Sequence, residues 1–291
     1  LIILLGDPAQ LSSVCYHKVE EHAMCMKCHI TTSSYWSSAT RYHLEASLRH
    51  ASDQQLIAAL TLARKGPLPQ SVIDEVFGPC VRSTASIADE YDEDTTIICT
   101  HRCDVDEMNG TLLKLCHPDF MPIPLQTNVP IDMVELGLWV KKPNFHSLVG
   151  VALGCRVMLT KNLDIGKGGC NGAEGTVVGL KLYPDGVLEA VVVQLDTGVV
   201  IPVYRSEIKY KFLNGIRYRK ATFPLMLCYA ITGHKCQGAT ITGRVVLLIR
   251  EVFCPGLLYV MLSRVLDRKQ LCIVGRLTTK MFIPVPEEFL N

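Results

Sequence analysis

The apolar residues fall into short unbroken runs near both ends of the chain and into broken, alternating runs in the middle. Residues 1–5 (LIILL) form such a run, ended by Gly6-Asp7-Pro8, and predict a strand buried on both faces of a parallel sheet. TTIICT at 95–100 and the runs at 225–231, 245–249 and 271–274 carry the same signal. The spacing changes at 53–65 (DQQLIAALTLARK), where apolar residues recur at helical intervals until Gly66-Pro67 stops them. Residues 104–115 predict a second helix with Asp104 as its N-cap, and 256–263 a third. A short strand is expected at 44–49.

Two stretches break this alternation. Residues 12–40, rich in Ser, Thr, Cys and His, read as irregular, and 117–150, with five prolines, reads as a connection. Between them and the C-terminal runs lie short strands expected at 156–160, 175–180, 188–195 and 199–203. They are separated by the turn sequences GKGGCNG, YPDG and DTG. That pattern predicts a small antiparallel barrel of the SH3 type interrupting an α/β domain.

Composition narrows the class. Of the 291 residues, 48% are hydrophobic and 20% charged, which excludes a disordered chain. The net charge of +1 supplies no global basic field, so any nucleic-acid contact has to be a local groove. Thirteen scattered cysteines, an odd number, do not form a disulfide framework and fit reduced thiols in an intracellular protein. The run at 1–5 is too short for a signal-peptide core or a membrane span, so no membrane partner is expected. The chain opens without Met inside an apolar run, which reads as a fragment of a longer protein.

Four segments carry candidate chemistry. Gly6-Asp7-Pro8-Ala9-Gln10-Leu11 follows a strand, where α/β proteins place ligand-binding groups, and Gln10 can bond a phosphate oxygen or orient water. Ser47-Leu48-Arg49-His50, followed by Asp53, offers a cation. Ile231-Thr232-Gly233-His234-Lys235-Cys236-Gln237-Gly238-Ala239-Thr240 packs donors, a cation and two glycines at one strand end. Tyr259-Val260-Met261-Leu262-Ser263-Arg264-Val265 ends an apolar helix on an arginine suited to charge developing on a transferring phosphoryl group. Each has a plain structural reading as a turn, a capped loop or a helix-terminal cation.

Taken in order, GDPAQL, LRH, TGHKCQGAT and YVMLSRV resemble motifs III to VI of superfamily 1 DNA helicases of the PIF and RecD-like type. GCRVMLTKNLDIGKGGCNGAEG at 154–175 is similar to the segment that opens their SH3-like insert, and TIICTHRCDVDEMN at 96–109 to a strand and helix of their second RecA-like domain. The resemblance covers most of the chain outside 12–40 and 117–150. It implies a RecA-like P-loop NTPase fold: residues 1–42 from a first RecA-like domain, 43–150 and 221–291 forming the second, and 151–220 the insert. It implies Gln10, Arg49 and Arg264 as catalytic, Asp7, Gln237 and Gly238 at the nucleotide, and Thr232, His234 and Lys235 at DNA. ATP and Mg2+ are the implied cofactors, single-stranded and forked DNA the implied partners, and 5′ to 3′ the implied polarity.

The protein is expected to be a monomer of the nucleus or mitochondrion. The resemblance admits roles in DNA repair, recombination, telomere or mitochondrial maintenance, and transposition. Two rivals stand beside it. One is a helicase-derived nucleic-acid-binding or interaction module without motor activity. The other is an RNA helicase of viral type, which shares GDPAQL but would lack the insert. Ser12-Ser13 depart from two prolines usual in the family, Cys236 from a serine, and Gly233 from a bulkier residue. His22, Cys25, Cys28 and His29 fit haem-attachment or zinc spacing, but an incidental loop is expected there, with no metal.

The sequence contains no G-x-x-x-x-G-K-[ST], and no Asp-Glu pair precedes Gly6. Without that lysine, its backbone cradle and the metal carboxylates, ATP phosphates lack their primary site. The purified 291-residue chain is therefore expected to hydrolyse no ATP above background in a phosphate-release assay, with or without DNA.

Overall fold

The computed structural model describes residues 3, 6–7, 9–11, 30–40, 42, 49–82, 91–92, 94–124, 126–127, 148–211 and 217–285. The chain forms two compact units, Leu1–Val105 with Ala230–Asn291, and Asp106–Tyr229. In chain order the described helices are α1 (Ser34–Ser38), α2 (Gln54–Lys65), α3 (Gln70–Val76), α4 (Arg102–Cys116) and α5 (Leu257–Leu262). The described strands are β1 (Val81–Arg82), β2 (Thr96–Cys99), β3 (Met121–Pro122), β4 (Gln126–Thr127), β5 (Gly150–Val151), β6 (Arg156–Leu159), β7 (Glu174–Leu182) and β8 (Leu188–Leu195). They continue as β9 (Val200–Tyr204), β10 (Ser206–Lys211), β11 (Arg217–Thr222), β12 (Leu225–Leu227), β13 (Ala230–Thr232), β14 (Val245–Leu248) and β15 (Leu271–Val274).

The first unit is built on a parallel sheet in the order β1-β15-β14-β2-β13. Ile97, Ile98, Cys99, Val245, Val246, Leu247 and all four residues of β15 are buried, which is why these strands read as unbroken apolar runs. Helix α2 buries Leu56, Ala59, Leu60 and Ala63, one face at helical spacing. Asp53 starts it: one carboxylate oxygen accepts the Leu56 N–H at 2.9 Å, the other the Arg268 N–H at 3.0 Å. A single buried carboxylate thus caps a helix and holds the approach to β15.

The second unit is antiparallel. One sheet runs β12-β6-β7-β8-β9, a second β10-β11-β4, and β3 pairs with β5. Val157, Leu159, Val177, Val191, Val193, Leu195, Ile201 and Val203 are buried within it. Arg156 of β6 forks onto Asp196 at 2.7 and 2.9 Å and reaches Glu174 at 3.4 Å, joining three strands of the sheet at one point. The hydrogen bonds from Arg156 hold the Asp196 carboxyl below the usual carboxylate range.

Four expectations need correction. The run at 225–231 is not one strand: β12 pairs antiparallel with β6, while β13 pairs parallel with β2, so the chain changes sheets between them. Asp104 does not cap α4, which begins two residues earlier; its buried carboxylate meets the Arg250 guanidinium at 2.9 Å instead. Residues 30–40 are not wholly irregular, because the Ser33 side chain accepts the Trp36 N–H and starts α1. Ile3, the described member of the 1–5 run, is exposed. It lies in none of the described strands. The rest of that run, the segment at 43–48, Ser12-Ser13, and His22, Cys25, Cys28 and His29 lie outside the described residues. Among the described helices none is long and apolar enough to cross a membrane.

Close strand approach in the second unit depends on Gly175. A Cβ there would collide with the Gln194 carbonyl and stand 2.9 Å from the Leu195 Cα, both backbone atoms that cannot swing away. Gly175→Ala should lower the unfolding free energy by about 1–3 kcal/mol, read as a lower urea midpoint. An unchanged midpoint would show that β7 and β8 separate without penalty.

Candidate functional site

The parallel sheet delivers the loops after β13, β2 and β14 to one end of the first unit. The loop after β13 winds at once: the Thr232 carbonyl accepts the N–H groups of Lys235 and Cys236 at 2.9 and 3.1 Å. The winding turns His234, Lys235, Gln237 and Gly238 outward and leaves Thr232 half-buried. Cys236 points inward, and its thiol donates to the Gly233 carbonyl at 3.1 Å. Burial pushes that thiol up to about 12, so the cysteine fills a serine's place as a neutral donor and not as a nucleophile. Gly233 has a different reason. A side chain there would meet Leu257 at 2.7 Å and Met261 at 2.8 Å, so its absence lets α5 lie against the loop.

Arg264 is almost completely buried, at 1% exposure. Its Nε donates to the Val260 carbonyl at 2.8 Å, Nη1 to the Ala239 carbonyl at 3.1 Å and Nη2 to the Ser263 hydroxyl at 2.7 Å. Arg49 adjoins it, donating to Thr240 Oγ1 and to the Ser263 carbonyl, both at 3.0 Å. His50 Nε2 lies 3.3 Å from the same carbonyl and is therefore the protonated ring nitrogen. Burial, and then the Arg49 charge, pull Arg264 below the ordinary arginine value, and burial also lowers His50. Two guanidinium groups thus share one serine, an arrangement that a polyanion would stabilise.

The GDPAQL turn closes on its own aspartate. Asp7 accepts the Ala9 N–H at 3.0 Å and the Gln10 amide at 3.4 Å. It also accepts the Tyr259 hydroxyl at 3.2 Å and pairs with Arg64 at 2.9 Å. Gly256, at a φ of +74°, faces the Ala9 and Gln10 carbonyls so closely that a Cβ would touch them. Gln237 completes the set by donating to the Leu11 carbonyl at 3.4 Å.

All nine residues singled out in the sequence therefore belong to one compact unit. Asp7, Gln10 and Gln237 form one hydrogen-bonded group with Tyr259 and Arg64, and Arg49 and Arg264 another around Ser263. Thr232, His234, Lys235 and Gly238 occupy the winding loop. The sequence reading gave no role to Arg64, Tyr259 or Ser263. Tyr259 and Ser263 sat inside a quoted motif, whereas Arg64 had only its place in the last turn of α2 as a signal. Among the described residues no group of three metal-ligating side chains is present.

A parallel sheet with these segments at its strand ends defines a RecA-like domain of the superfamily 1 helicase class. No family model matches the chain. It is 30% identical over 267 residues to the ATP-dependent DNA helicase PIF1 of Danio rerio, covering 90% of this chain and 39% of that protein. The Pif1 helicase of Candida albicans superposes with a TM-score of 0.70 at 20% identity, over 90% of this chain and 62% of that one. A Bacteroides Pif1 helicase solved with ADP-AlF3 and single-stranded DNA gives a TM-score of 0.60 at 27% identity, over 83% and 53% of the two chains. The chain is thus a relative of the PIF1-type helicases and corresponds to a part of them, spanning about two fifths of the zebrafish protein.

Arg264→Lys tests the buried network. Lysine offers one flexible ammonium where three acceptors are set for a planar fork. The substitution should destabilise the chain by about 2 kcal/mol in chemical denaturation. A wild-type midpoint would mean that the three hydrogen bonds contribute nothing to the fold.

Proposed function

We propose that this chain is the nucleotide-sensing and strand-gripping part of an ATP-dependent DNA helicase of the PIF1 type. The observation that carries the reading is the meeting of GDPAQL, LRH, GHKCQG and YVMLSR in one unit, with Arg49 and Arg264 converging on Ser263. The residues present fit part of a nucleotide site. They supply two cations and the Gln10 amide for phosphate oxygens, while the lysine and glycine cradle for the β- and γ-phosphates are not in the sequence.

In this reading the complete ATP site includes a phosphate-binding segment from elsewhere in a longer protein, together with Mg2+. Arg49 and Arg264 neutralise charge that grows on the transferring phosphoryl group. Gln10 orients the attacking water, and Asp7, held by Arg64 and Tyr259, fixes the turn that presents Gln10. Thr232, His234 and Lys235 hold the phosphate backbone of a single strand of DNA. Nucleotide turnover then moves the strand by changing the balance of these contacts. The antiparallel sheets of the second unit serve as the SH3-like insert that guides the displaced strand, and the direction is 5′ to 3′.

The test uses the longer protein that contains both this chain and an upstream phosphate-binding loop. It should unwind a forked duplex with a 5′ tail and leave a 3′-tailed duplex paired. Arg264→Ala should lower its DNA-stimulated kcat by about a thousandfold or more, the usual scale of an arginine finger, with oligonucleotide affinity retained. Equal turnover by wild type and variant would remove Arg264 from the chemistry. DNA binding without any ATPase would leave a binding module in place of a motor.

A further inference from the structure

Three loops that leave neighbouring parallel strands carry aromatic rings to one place. His101 follows β2, His234 follows β13 and Phe253 follows β14, and these strands lie side by side. The Phe253 ring stacks against His234 at 5.9 Å between centroids, with 16° between planes, and against His101 at 5.3 Å and 56°. Thr100 Oγ1 lies 2.9 Å from His101 Nδ1 and fixes that imidazole, and the Cys254 thiol lies 4.0 Å from His234 Nε2.

This group is unlike the core aromatics of the same unit. Phe77 and Phe282 also stack, at 6.4 Å, but they are 0% and 4% exposed. Phe253 remains 39% exposed although it is flanked on two sides. A phenylalanine held in a fixed plane with that much open surface offers a flat apolar face to solvent. Cations stand close by in sequence and structure. Lys235 is exposed one residue from His234, and Arg250, 65% exposed, is braced by the buried Asp104 carboxylate at 2.9 Å. An aromatic face beside cations at strand ends is the combination that holds single-stranded nucleic acid: bases stack and phosphates pair.

We propose that Phe253, flanked by His101 and His234, is a stacking shelf for an unpaired base of single-stranded DNA. The inference rests on the DNA-binding reading above and adds to it a contact to the base, where Thr232, His234 and Lys235 address the backbone. Stacking accepts any base, so the shelf contributes affinity without sequence preference.

The experiment measures fluorescence anisotropy of the full 291-residue chain with an oligo-dT strand and with an abasic strand of equal length. Wild type should bind oligo-dT about tenfold more tightly than the abasic strand. Phe253→Leu should weaken oligo-dT binding about tenfold and leave abasic binding unchanged. Phe253→Trp should keep wild-type affinity, and its added indole emission should be quenched by oligo-dT and not by the abasic strand. If Phe253→Leu does not fold, the quenching of Phe253→Trp decides alone, and no quenching overturns the shelf. Equal binding of oligo-dT by wild type and Phe253→Leu also overturns the shelf, while leaving the backbone grip standing. So does an equal loss on both strands, which assigns Phe253 a structural role. Failure of wild type to bind either strand overturns the DNA-binding reading itself and the shelf with it.

Discussion

A guanidinium group withdrawn from water must have its donors answered by the protein, and at Arg264 that requirement organises the first unit. The answers come from α5 through Val260, from the end of the loop after β13 through Ala239, and from Ser263. Moving any one of them would strand a buried donor. The loop is therefore held to the helix, and the helix to the sheet. Arg49 and His50 then take the remaining acceptor of Ser263, which ties the start of the α2 region to the same point. The groups offered for phosphate chemistry are also the groups that hold the fold together. Movement of a guanidinium toward a ligand has to be matched by a substitute donor or by motion of the loop.

The second unit uses the same device nearer to solvent. Arg156 answers Asp196 with two hydrogen bonds and Glu174 with one, so the fork fixes the mutual register of β6, β7 and β8. The pair is half-exposed, and its main contribution is geometric, since screened ion pairs add little stability. The hydrophobic alternation of β8 and β9 supplies the driving force, and Arg156 selects among the alignments that alternation permits.

Much of this was legible in the residues. The buried parallel strands announced themselves because both faces are covered, and α2 because Asp53 and Gly66 bracket a helical period. The turns around Gly168, Gly186 and Gly198 placed β6 to β9 to within a residue or two. The break between β12 and β13 was not legible, because apolar periodicity is the same whichever sheet a residue joins. Asp104 was misread for a related reason. A carboxylate near a helix start suits a cap, and only the fold brings Arg250 to it from a distant loop. In the site, motif order pointed to Gln10, Arg49 and Arg264. The bracing of Asp7 by Arg64 joins residues with no local pattern between them.

The bare Cα of Gly233 sets a rule for exchanging parts between this chain and its relatives. Leu257 and Met261 occupy the volume that a bulkier residue at position 233 would need. The loop after β13 and helix α5 are therefore one unit of inheritance: a chimaera that takes the loop from a relative must take the helix with it. Grafting either piece alone sets a side chain against a methionine or opens a void between them.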